Sequence, residues 1–171
     1  MEVVAMSYTS KRNIVSILAG VALIVAYIIY ATGANAPSAE DIKAWAVAIL
    51  VFVGIGIGVQ IVVQIVFHIV LTIGIAIKEE LKTGNKDGGK TAERILESEM
   101  VEDERVKMIG LKASRVGYVF VGLGAFAALV ALAVGLETVI ALHLLFGLSA
   151  FAAVAEGFAS IIMSEWGMKQ R

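Results

Sequence analysis

The chain has 171 residues, of which 59% are apolar and only 17% are charged, and its mean hydropathy is +0.88. A soluble domain of this length could not hide so much apolar surface, so the composition predicts an integral membrane protein. Cysteine is absent, which excludes disulfides, thiol nucleophiles and thiolate-bound metals. The net charge of −1 gives no overall attraction to nucleic acid, and we expect no nucleic-acid partner.

Four stretches that are nearly free of charge predict four helices across the lipid bilayer, because a helix needs about 20 apolar residues to cross the hydrocarbon. These predicted spans cover about residues 13–33, 42–77, 116–135 and 139–163. Two short connections predict two antiparallel hairpins. The predicted fold is therefore all-α: a single membrane domain over 1–171, built as an antiparallel bundle of four transmembrane helices.

The start of the chain also has features of a secretory signal. Lys11 and Arg12 precede the first apolar run, and Ala34-Asn35-Ala36 resembles a cleavage site for signal peptidase. The apolar run is longer than a usual signal core, however, and Pro37 follows the cleavage position directly. We interpret the segment as an uncleaved first span.

Lysine and arginine are distributed very unevenly between the two sides of the predicted bundle. Two precede the first span, nine lie in the 78–115 segment and two follow the fourth span, whereas Lys43 alone lies in the other connections. The positive-inside rule then predicts that both termini and the 78–115 segment are cytoplasmic, in a multi-pass protein of the cell membrane.

The second span is too long for a bilayer of ordinary thickness. Residues 44–77 carry no charge and would form a helix of roughly 50 Å, against ~30 Å of hydrocarbon. We favour one long tilted helix, with a bend or a close helix contact near Gly54, Gly56 and Gly58. The alternative is that residues 41–53 project into the outer headgroup layer, with Trp45 as an interfacial anchor.

The 78–115 segment is predicted to contain a cytoplasmic amphipathic helix that precedes the third span. Thr91 can cap this helix, and the apolar spacing from Val106 onward predicts that it continues into the span. Five acidic residues lie close together between positions 97 and 104. They are Glu97, Glu99, Glu102, Asp103 and Glu104. A divalent-cation site is conceivable, but consecutive helical positions point in different directions, and we favour a solvated charged face.

A family resemblance rests on residues 103–113. The sequence Asp103-Glu104-Arg105, followed by Leu111-Lys112-Ala113 and directly by a span, resembles the Asp-Glu-Arg…Leu-Lys-Ala element of a family of small prokaryotic membrane proteins with a domain of unknown function. The resemblance implies four spans with this element before the second hairpin, and it transfers no functional residue. Some such proteins are encoded beside small helix-turn-helix regulators, which implies a regulatory partner.

Polar residues inside the predicted spans are the candidate site. Gln60, Gln64 and His68 recur every four residues on the second span, and Glu156 is the sole carboxylate at hydrophobic depth in the fourth. Intramembrane ionisable groups are costly and face the protein interior. Counting from the cytoplasmic ends of the spans predicts that Gln64, His68 and Glu156 meet in one buried site, which could serve as a proton relay or a cation site.

The alternative is structural, because glutamine and histidine in membrane helices also join neighbouring helices by hydrogen bonds. Haem ligation by His68 and His143 is disfavoured, since the two residues are predicted to lie at different depths, with His143 near Glu137 or the outer interface. We expect no cofactor and no metal.

Two functional hypotheses follow. Hydrolase, protease and phosphate-loop motifs are absent from the sequence, so we expect no enzyme. The first hypothesis is a membrane protein that acts through a cytoplasmic protein partner bound at 78–115. Because four helices make a small bundle, the chain could also form a homodimer. The second is a small transporter or channel for protons or cations, built around Glu156 and His68.

Overall fold

The computed structural model of the chain describes residues 8–83 and 104–168, and all regular structure in these ranges is helical. The described ranges contain four helices: α1 (Tyr8–Thr32), α2 (Ile42–Thr83), α3 (Glu104–Ala133) and α4 (Thr138–Met168). Each contains an apolar segment long enough to cross a membrane, namely Ser10–Thr32, Ile42–Ile77, Val106–Ala133 and Thr138–Glu165. The predicted all-α, multi-pass architecture is thereby confirmed.

The connection between α1 and α2 is held by hydrogen bonds at the start of α2. The backbone N–H of Ala44 donates to Asp41 Oδ1 at 2.9 Å, so Asp41 caps the helix. The indole of Trp45, which is buried, donates to the carbonyl of Ser38 at 3.1 Å. These two bonds fix the turn against the first residues of α2.

The connection between α3 and α4 depends on one glycine. Gly135 has φ of 81°, a left-handed conformation that glycine adopts without steric cost. Its N–H donates to the carbonyl of Leu132, and the N–H of Leu136 donates to the carbonyl of Ala131, which together form a Schellman motif. Both connections lie at one end of the molecule, here called the hairpin end; the opposite end is the terminal end.

Helix α4 lies at the centre of the helix packing. It packs along α3 on one side and along α1 on the other, whereas α2 packs mainly against α1 and touches α4 only slightly. Small residues permit the close approach: a Cβ at Gly124 of α3 would lie 2.9 Å from Leu148 Cβ, and a Cβ at Gly157 of α4 would lie 2.6 Å from Ile17 Cγ1.

Helix α2 is one uninterrupted helix of 42 residues. The sequence predicted either a bend or a close helix contact near its glycines, and the structure shows a close contact. A Cβ at Gly56 would lie 2.7 Å from Leu23 Cδ2 of α1. Gly54 and Gly58 face away from the other described helices, and no described atom lies within 4 Å of a Cβ added at either glycine.

The pairing of α1 with α2 shows where the excess length of α2 lies. Trp45 contacts Tyr30 at the hairpin end, and Gln64 contacts Ser16 near the terminal end. One turn beyond Gln64, His68 is level with Arg12. The rest of the apolar segment, to Ile77, therefore extends about 14 Å past Arg12. We call residues 69–77 the α2 extension.

Candidate functional site: polar contacts between the spans

Two of the four predicted site residues meet on α1. Gln60 Nε2 donates to the backbone carbonyl of Ser16 at 3.1 Å, and Gln64 Nε2 donates to the hydroxyl of the same serine at 2.7 Å. The four-residue spacing places both amides on the face of α2 that packs against α1. The structure thus brings Gln60 and Gln64 together, on α1 rather than on α4.

His68 lies elsewhere. Its side chain is exposed on the surface of α2, and within the described part of the chain its imidazole has no hydrogen-bonding partner. Its backbone carbonyl accepts a hydrogen bond from Thr72 Oγ1 at 2.8 Å, as is usual within a helix. Because His68 lies at the same height as Arg12, it is beside the first turns of α1 rather than deep in the bundle.

Glu156 contacts α3. Its Oε1 accepts a hydrogen bond from Ser114 Oγ at 2.6 Å, and its Oε2 would lie 2.9 Å from a Cβ at Gly117. Glycine at 117 therefore leaves the space that the carboxylate occupies. Arg115, the neighbour of Ser114, is exposed, so this carboxylate lies close to the level at which charged residues begin on α3.

The structure does not bring His68 and Glu156 together as the sequence predicted. Glu156 faces α3, and the next residue, Gly157, faces Ile17 of α1. His68 is about five residues, or about 8 Å, nearer the terminal end than Ile17. The sequence prediction placed His68 and Glu156 at similar depth by counting residues from the cytoplasmic end of each span. That count was misleading because the sequence cannot show how far α2 extends past its neighbours.

Two further polar contacts join α1 to α4. Asn13 Nδ2 donates to Ser160 Oγ at 2.8 Å, and Ser10 Oγ donates to Glu165 Oε1 at 2.9 Å. They lie in successive turns toward the terminal end. Ser160 follows Glu156 by one turn on α4, and its contact with Asn13 depends on how α1 packs against α4.

His143 belongs to a cluster of rings at the hairpin-end half of the bundle that the sequence analysis missed. The Tyr27 hydroxyl and His143 Nδ1 share a hydrogen bond at 2.6 Å. Trp45 packs edge-on against His143, with 4.5 Å between ring centroids, and Phe146 packs against Tyr27 at 4.4 Å. The partner of His143 is therefore Tyr27 rather than Glu137. The sequence feature that could have predicted this cluster is the presence of aromatic residues in three different spans, all near their hairpin ends.

Part of the predicted cytoplasmic segment is described. From Glu104, its first described residue, helix α3 runs without a break into the third span, which agrees with the predicted continuity. Lys107, Lys112 and Arg115 are exposed on its first turns. The predicted cap at Thr91 and the acidic residues at 97, 99, 102 and 103 lie outside the described residues. Among the described histidine and acidic side chains, no group of three could hold a metal ion.

Comparison with known proteins assigns no family. No family model matches the chain, and neither a curated protein nor a solved structure was found to be similar to it. The resemblance of residues 103–113 to a family of four-span prokaryotic membrane proteins stays a prediction.

Proposed function

We propose that this chain is a non-enzymatic membrane protein that acts by binding a partner protein at its terminal end, through the 78–115 segment and the α2 extension. The distribution of lysine and arginine supports a cytoplasmic position for this end. A regulatory partner is what the resemblance of residues 103–113 implies.

The exposed α2 extension is the observation that carries the proposal. Ile69, Ile73 and Ile77 are each exposed by more than half, at 51%, 53% and 53%, and the extension continues past the level of the charged Lys11 and Arg12. Apolar surface beyond the level of the interfacial charges is outside the hydrocarbon, where it is costly to leave uncovered and typical of a protein-binding surface.

Charges near the extension favour a particular kind of partner. Lys107, Lys112 and Arg115 are exposed at the start of α3, on the same end of the bundle. A partner that offers an apolar groove to the α2 extension and acidic residues to these three cations would match both features. An acidic rim of this kind sets the orientation and the rate of association more than the affinity.

The polar contacts between spans support a structural role for the intramembrane residues. Gln60 and Gln64 bind Ser16, Asn13 binds Ser160, and Ser114 binds Glu156. Each contact joins two different helices, and such bonds stabilise helix association by ~0.6–2 kcal/mol each. These side chains are thus engaged in holding the bundle together.

Site-specific photocrosslinking in native membranes tests the proposal. A benzophenone amino acid at Ile73 should form an adduct with one defined protein, whereas the same probe at Leu129, which is 66% exposed on α3, should label lipid. Charge reversal at Lys107 and Lys112 should lower the yield at position 73. The proposal fails if positions 73 and 129 give the same products.

The transport hypothesis is tested separately. Purified chain in proteoliposomes should show the same proton permeability with Glu156 and with Glu156→Gln, because the carboxylate is bound to Ser114 and glutamine can accept the same hydrogen bond. A proton flux that is present in the native chain and lost in a folded Glu156→Gln variant would favour transport instead.

A further inference from the structure

A second feature, independent of the terminal end, is a groove at the hairpin end with a volume of about 490 Å³. It lies between the last turn of α1 and the first turns of α2. Tyr30 and Pro37 line one side, and Val47, Ala48 and Val51 line the other. These residues are apolar except for the tyrosine hydroxyl, and the volume is within the range of small-molecule sites. We call this cavity the hairpin groove.

Two residues of opposite charge also line the hairpin groove. Asp41 and Lys43 are both exposed. One oxygen of Asp41 caps Ala44, and the other has no partner within the described residues. The ammonium of Lys43 is likewise without an ion pair there. The groove thus combines an apolar wall with one free anionic and one free cationic group.

Contacts of Trp45 hold the turn beside the groove. The Trp45 indole holds the turn through the Ser38 carbonyl, and Trp45 is itself packed edge-on against Tyr30, with 6.3 Å between centroids. A preformed cavity avoids the entropic cost of ordering a loop on binding. Aromatic residues of this kind are characteristic of the interface between hydrocarbon and headgroups.

From these features we propose that the hairpin groove binds one phospholipid whose headgroup carries both a phosphate and a primary ammonium, as in phosphatidylethanolamine. The phosphate pairs with Lys43, and the ammonium donates to the free oxygen of Asp41. An acyl chain lies along Val47 and Val51, which are both 53% exposed.

Charge at this end of the molecule selects against other headgroups. Glu40 and Asp41 are exposed within three residues of Lys43, so a headgroup with net negative charge is repelled. A choline headgroup has no N–H to donate to Asp41. Of the common headgroups, the zwitterionic one with a primary ammonium therefore fits both charged residues.

Native mass spectrometry of the full chain tests the proposal. The protein is reconstituted with equal amounts of phosphatidylethanolamine, phosphatidylcholine and phosphatidylglycerol, and the lipids that remain bound after mild activation are counted. The native chain should retain one phosphatidylethanolamine, at about tenfold preference over each competitor, as expected for a charge-assisted pair. Equal retention of the three lipids would overturn the proposal.

Three variants identify the site. Asp41→Asn keeps the helix cap, because asparagine caps as well as aspartate, and should lose the preference over phosphatidylcholine. Lys43→Glu should lower retention of phosphatidylethanolamine. Ala48→Phe should fill the groove and abolish retention, whereas the control Ala133→Phe, at an exposed position on the same end, should not. Retention by Ala48→Phe equal to that by Ala133→Phe, in folded proteins, would also overturn the proposal.

Discussion

Ser16 accepts hydrogen bonds from two glutamines through two different atoms, its carbonyl oxygen from Gln60 and its hydroxyl from Gln64. Removal of the hydroxyl therefore affects one glutamine only. This difference gives an internal control for the claim that these amides hold α1 and α2 together.

The first prediction concerns this serine. In a double-mutant cycle, Ser16→Ala and Gln64→Leu should show a coupling free energy of ~0.6–1.7 kcal/mol, the range of hydrogen bonds between membrane helices. Ser16→Ala and Gln60→Leu should show almost none, because the carbonyl remains in Ser16→Ala. Reversible unfolding in mixed micelles measures both cycles. Equal coupling for the two glutamines would contradict the contacts described.

The sequence predicted part of this pattern at the residue scale. A four-residue repeat placed Gln60 and Gln64 on one inward face, and the structure agrees. The partner on α1 was not predictable, since Ser16 is one of several small polar residues in that helix and only the register of the two helices selects it. The same limit applies to Tyr27 and His143, which are 116 residues apart.

At the element scale, the unusual feature is the length of α2. Helix α1 has about 20 residues, or about 30 Å, between Arg12 and the turn at Gly33, which matches the hydrocarbon thickness. Helix α2 follows α1 along this whole length and then continues. Tilt of α2 alone does not account for the excess, because α1 would have to tilt with it and carry Lys11 and Arg12 into the hydrocarbon.

The second prediction follows from this geometry. Nitroxide labels on single cysteines at Ile61, Ile73 and Ile77 compare positions of similar exposure, at 56%, 53% and 53%, so that differences report depth in the bilayer. In nanodiscs of the chain alone, position 61 should be accessible to oxygen, and positions 73 and 77 to a water-soluble nickel reagent. Oxygen accessibility at position 77 equal to that at position 61 would mean that α2 tilts to stay within the hydrocarbon.

The sequence predicted the existence of α2 but not where its extra residues lie. The absence of charge from 44 to 77 predicted a span over residues 42–77, and the apolar segment of the longer helix α2 runs from Ile42 to Ile77. Its position relative to α1 is set by contacts such as Gly56 with Leu23. Hydropathy carries no information on such contacts. From the sequence, the excess length of α2 could therefore be explained either by tilt of the helix or by projection of its first residues at the hairpin end.

At the scale of the whole molecule, the two hairpins join through α1 and α4. Short connections made the hairpins predictable, and Gly135, with its left-handed backbone, lies in the second of these connections. The pairing of α1 with α4 was not predictable. It depends on small residues and on polar pairs such as Asn13 with Ser160, which have no signature in a single sequence.

We propose that the four helices cross a bilayer with both hairpin turns outside the cell and both termini inside. The native chain has no cysteine, so single cysteines at Ser38, Gly88, Thr138 and Gln170 can be labelled in intact cells with a thiol reagent that does not cross membranes. Positions 38 and 138 should react at once, and positions 88 and 170 only after the membrane is opened. Reaction of position 88 in intact cells, or of none of the four after opening, would contradict the account.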